Sequence, residues 1–137
     1  MIVQTQTTSF KAEVYQAVHD LLTDTIKIAL YTSTANLNAD TTVYSSANEV
    51  VASGYPPGGS PLTGVALSTS GYTAYVNWAN ISWTAALTAR CALLYNASKG
   101  NKSVAVLDFG ADKTATTTFL ITMPSNTATT ALIRSSN

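Results

Sequence analysis

His19 is the only histidine and Cys91 the only cysteine in a chain of 137 residues. One of each cannot furnish a typical structural zinc site, which takes four nitrogen or sulfur ligands. His19 can be combined on paper with Asp20 or Asp24 and one of many serines into a hydrolase triad, but no Gly-x-Ser-x-Gly elbow is present to present a nucleophile. Cys91 alternates with Leu87, Ala89, Leu93 and Tyr95, which predicts a small buried hydrophobe over a reactive thiol. Asn36, Asn38 and Asp40 start like a calcium loop. The sixth position is then Thr41 where glycine is needed, and the twelfth is Ala47 where a bidentate acid is needed, so a turn is expected. Asp108-Phe109-Gly110 spells a kinase magnesium motif without the glycine-rich loop or catalytic loop that must accompany it. The carboxylate pairs Asp20/Asp24 and Asp108/Asp112 have no evident sugar cleft around them to make a glycosidase dyad. These residues predict neither an enzyme nor a bound cofactor or metal.

Aromatic side chains are the remaining binding candidates. Tyr55 stands beside Pro56-Pro57 and is expected at an exposed loop tip. Trp78 and Trp83 suit either a sandwich core or, if exposed, a carbohydrate platform or protein hot spot.

The elements that must position these residues are mostly strands. Phe10, Val14, Ala17, Val18 and Leu21 make one helical stripe, predicting a helix over 9–22 capped by Thr8 or Ser9. From Thr25 onward the pattern is period two. Strands are expected at Thr25–Thr32, Leu62–Ser68, Tyr72–Trp78, Ile81–Thr84, Leu87–Tyr95, Ser103–Phe109 and Thr117–Met123, with shorter pieces at Thr42–Tyr44 and Glu49–Ala52. Thr69-Ser70-Gly71 reads as a hairpin turn and Gly110–Lys113 as another. The result is a mainly β domain, an antiparallel β-sandwich or jelly-roll-like fold with one N-terminal helix, over residues 1–124. Residues 125–137 are polar except Ala131-Leu132-Ile133 and are expected to form a C-terminal arm that reaches a neighbour.

Composition narrows the partners. Seven basic and seven acidic residues give zero net charge, with no basic stripe for nucleic acid or anionic lipid. No run approaches the length of a membrane span, and Met1–Thr8 lacks the basic and apolar regions of a signal peptide. Residues 50–89 contain no Asp, Glu, Lys or Arg, and interface cores are depleted of charge and rich in aromatics. Strand burial accounts for much of that gap in Leu62–Trp78. A solvated Ser53–Pro61 loop has no such reason to avoid charge, so contact is expected there. The candidate contact residues are Tyr55, Pro56, Pro57 and Leu62, with Leu132 and Ile133 in the arm. Lysine at Tyr55 or Leu62 is expected to weaken assembly without unfolding the domain.

Thr8-Ser9-Phe10-Lys11-Ala12-Glu13, Val18-His19-Asp20 and Asp24–Thr32 together resemble a family of small tailed-phage virion structural proteins. So do Leu94-Tyr95-Asn96-Ala97-Ser98-Lys99 and Val104–Gly110. The resemblance implies a virion protein, assembled in the host cytoplasm, whose partners are the major capsid protein or other virion proteins. It carries no catalytic residues. Small size and neutral charge favour a capsid decoration (cement) protein, with a homo-oligomer, guessed to be a trimer, at capsid symmetry points. A tail, collar or fibre-attachment component is the alternative. A carbohydrate-binding module using Tyr55, Trp78 or Trp83 is the second.

Overall fold

A computed structural model describes residues 1–136. The chain is mainly β, 43% strand and 8% helical, with antiparallel sheets in a sandwich-like domain. The strands are β1 (Thr5–Gln6), β2 (Ile26–Tyr31), β3 (Ser60–Pro61), β4 (Ala66–Ser70), β5 (Thr73–Asn77), β6 (Ile81–Trp83), β7 (Leu87–Asn96), β8 (Lys102–Ala115), β9 (Phe119–Ile121) and β10 (Ile133–Ser135). A large sheet runs β1-β8-β7-β2-β3, and smaller ones run β10-β5-β4 and β6-β9.

The large sheet is buried on both faces. Ile26, Ile28, Leu30, Ala92, Leu94 and Val104 face the main core, which is closed by Val76, Trp78, Trp83, Phe119, Ile121 and Ile133 from the smaller sheets. Ala29, Tyr31, Cys91, Leu93, Tyr95 and Val106 face a second core, covered by Ala35 and Leu37. The long loop after β2 therefore supplies packing to its own sheet.

Strand β7 shows why simple alternation failed. Leu87 and Ala89 belong to the main core, whereas Cys91, Leu93 and Tyr95 belong to the second. Between the Ala89–Lys113 and Cys91–Asp108 pairs, residues 109–112 of β8 stand opposite Arg90 alone, and across this irregularity the faces of β7 exchange. The expected turn at Gly110–Lys113 is part of the same bulge. β8 continues to Ala115, with Gly110 at φ +79° and its N–H donated to Asp108 Oδ1 at 2.8 Å.

The helix α1 (Thr8–Tyr15) is shorter than the 9–22 expected, and Thr7 is its cap, accepting the Phe10 N–H at 3.3 Å. The chain reverses at Ala17 (φ +55°), with the Gln16 and Val18 N–H groups closing onto Glu13. Only Phe10 of the stripe is fully buried, while Val18 and Leu21 lie in the turns that follow. The C-terminal segment is also not a free arm. β10 pairs antiparallel with β5, Ala131 and Ile133 are buried, Leu132 is half-buried, and Asn77 Nδ2 donates to the Pro124 carbonyl at 2.6 Å.

Candidate interaction surface

Tyr55 is not at an exposed tip. It is 4% exposed, and its hydroxyl donates to Glu49 Oε2 at 2.7 Å while accepting the Leu30 N–H at 2.8 Å. Tyr44 donates to Glu49 Oε1 at 2.6 Å, and the Gly58 N–H donates to Oε2 at 2.7 Å. Three neutral donors thus hold a buried carboxylate, and the Tyr95 hydroxyl donates to the Gly58 carbonyl. Burial, reinforced by the Glu49 charge, pushes the Tyr31, Tyr55 and Tyr95 hydroxyls above the usual tyrosine range. Tyr44 moves the same way through burial and its bond to Glu49. The Ser53–Pro61 loop is pinned by this cluster. A Cβ on Gly59 (φ +73°) would stand 1.7 Å from the Ile28 carbonyl oxygen, so only glycine lets the loop lie this close to β2. Pro56 and Pro57 stay exposed, whereas Leu62 and Ile133 are buried within the chain.

His19 is equally committed. Its Nδ1 lies 3.0 Å from Asn96 Nδ2 and its Nε2 3.0 Å from Glu13 Oε1. The Asn96 side-chain Oδ1 accepts the Ser98 N–H, so its Nδ2 must face His19 and Asp24. Nδ1 is then an acceptor, and the Nε2 proton is donated to Glu13. Lys102 pairs with Glu13 at 3.4 Å and Lys99 with Asp24 at 3.1 Å, completing a network between the helix turn and the β7–β8 connection. Burial pushes Asp24 upward, but bonds from Asn96 and the Asp20 N–H and the Lys99 ammonium outweigh it and hold Asp24 below its ordinary value. No nitrogen of His19 is left for a substrate. Glu13, His19, Asp24, Asn96 and Lys99 are spent on one another.

The other chemical candidates resolve into local structure. Cys91 is fully buried, and burial with the neighbouring Asp108 charge pushes its thiol up to about 11. Asn38 Oδ1 accepts the Asp40 N–H at 2.9 Å in an Asx turn. Trp78 and Trp83 are 5% and 4% exposed, and Trp83 donates to Ser60 Oγ at 2.9 Å. With Tyr55 they leave the surface that a sugar platform would need.

The uncharged and exposed surface includes the whole β4–β5 hairpin. About half of residues 50–89 are exposed, including Ala66, Leu67, Thr69, Ser70, Gly71, Tyr72 and Ala74. Burial therefore does not explain the missing charge here, against the expectation that strand burial accounts for it in Leu62–Trp78. Leu67 is 52% and Tyr72 94% exposed. Beside them an open groove of about 650 Å³ runs between α1 and β10-β5-β4, lined by Phe10, Val14, Tyr15, Leu67, Tyr75 and Ile133. Sequence reasoning missed Leu67 and Tyr72. The signal was present in β4, where Leu67 is the one bulky apolar residue among small ones, too little to bury a face.

No family model, curated protein or solved structure matches the chain.

Proposed function

We propose that this protein is a non-enzymatic structural component of a tailed-phage particle, acting as a capsid decoration protein that clamps neighbouring coat subunits. The carrying observation is the exposed, uncharged hairpin with Leu67 and Tyr72 at its surface. Such a surface suits a protein partner, since the central parts of interfaces lack charge. The groove beside it adds apolar area. The resemblance across Thr8–Glu13, Asp24–Thr32 and Leu94–Lys99 supports the virion setting, and the resembling residues build the scaffold behind the hairpin.

Quantitative mass spectrometry of purified particles tests the reading. A decoration protein scales in copy number with the coat protein and binds tailless capsids. A tail, collar or fibre-attachment component is present in few copies and purifies with tails. A protein missing from particles altogether overturns the virion assignment.

A further inference from the structure

The β4 edge is unprotected. Edge strands normally carry charge, proline, a bulge or very short length to prevent pairing with another chain. This molecule uses those devices on its other edges. The outer edge of β8 carries Asp108, Asp112, Lys113 and a bulge; β3 carries Pro61; β10 carries Arg134; β6 and β9 are three residues each. β4 (Ala66-Leu67-Ser68-Thr69-Ser70) has none of them and is the last strand of its sheet.

The hairpin register says which backbone groups are free. Ser70 pairs with Thr73 across the two-residue turn Gly71-Tyr72, with Gly71 at φ +58°. In such a turn the closing pair is hydrogen-bonded, and hydrogen-bonded pairs then alternate along the ladder. Ser70, Ser68 and Ala66 face β5 with their N–H and C=O groups. Leu67 and Thr69 turn theirs outward.

We propose that β4 pairs antiparallel with β4 of a second copy of this chain, about a two-fold axis at Ser68. Leu67 of one copy then stands opposite Thr69 of the other, each pair exchanging both backbone bonds, and the β10-β5-β4 sheet continues into its counterpart. The arrangement is self-complementary, as a two-fold contact requires. No charge lies in β4 or β5, so meeting itself brings no like-charge repulsion. The same register carries exposed Tyr72 over Gly64 of the other copy. This pairing stands on backbone geometry and holds wherever in a particle, or outside one, the protein works. Five paired residues bury less than a standard stable interface, so association is weak and grows with concentration.

Sedimentation equilibrium across a wide concentration range, with amide hydrogen exchange, tests it. Wild-type protein is expected to pass from monomer to dimer as the Leu67 and Thr69 amides gain protection. Thr69→Pro removes an outward N–H that no intramolecular bond uses, so the variant is expected to keep the wild-type circular dichroism and stay monomeric. If Thr69→Pro fails to fold, Leu67→Lys supplies the same test by placing like charges across the two-fold. A wild-type protein that is monomeric throughout, or with both amides unprotected at high concentration, overturns the proposal and leaves the edge to a strand from another protein. Dimerisation that survives Leu67→Lys and Thr69→Pro also overturns it and moves the contact to the groove beside α1.

Discussion

Tyr55 shows how much one side chain is asked to do. Its hydroxyl is the shared partner of a buried carboxylate on Glu49 and a buried strand N–H on Leu30. Tyr55→Phe keeps the ring against Trp83, where the centroids are 5.6 Å apart. It leaves the Leu30 N–H without this partner and takes one of three donors from Glu49. Losing a partner to buried polar groups costs about 1–3 kcal/mol, more where charge is involved. The expected outcome of urea unfolding is a midpoint lowered by that free energy divided by the slope, with the slope unchanged. A variant as stable as wild type would mean that water replaces the hydroxyl at no loss.

At the scale of elements, the strand content and the single helix were legible because period-two and period-3.6 patterns survive in β2, β7 and Phe10–Val14. The faces of β7 were not, because the bulge at Arg90 exchanges them without leaving a compositional mark. Gly110-Ala111-Asp112 reads as a turn and is a bulge, since both want exposed small or polar residues with φ freedom. The Tyr55 loop misled because proline and glycine signal a turn without saying that the Glu49 carboxylate, close by in sequence, will hold it down. The C-terminal segment misled because Ala131-Leu132-Ile133 is too short to reveal which sheet it joins. Its docking carries a prediction. Ile133 is buried in the main core against β5, so Ile133→Ala is expected to destabilise the isolated domain by about 2–4 kcal/mol in chemical unfolding. An arm meant only for a neighbour would lose binding and no stability. By the same reasoning Lys at Leu62, a buried core position, unfolds the domain, whereas Lys at exposed Tyr72 leaves it folded.

For the whole molecule, the two polar networks set opposite ends of one stability profile. Asp24 ties the turn after α1 to the β7–β8 connection, and its carboxyl is held below the ordinary value. Its contribution is present above the unfolded aspartate pKa, about 3.9, and is lost as pH falls through the depressed folded value. Tyr31, Tyr44, Tyr55 and Tyr95 surround Glu49 and are all raised, burial being the first cause in each. Unfolded tyrosine gives up its proton near pH 10, whereas these hold theirs in the native state. The stability they contribute is whole below about pH 10 and falls as pH rises beyond it, each adding up to ~1.4 kcal/mol per pH unit to the slope. The expected profile is flat through neutrality, with a shallow acid limb and a steep alkaline one. Asp24→Asn should lower the plateau by the contribution of Asp24 and flatten the acid limb, leaving the alkaline slope unchanged. Tyr55→Phe should lower the plateau and remove about one proton from the alkaline slope. Tyrosinate absorbance of the cluster should appear together with loss of far-ultraviolet circular dichroism. Tyrosinate forming in all four while the fold persists would show that Glu49 and its partners are open to solvent, and that the loop they pin is free to move.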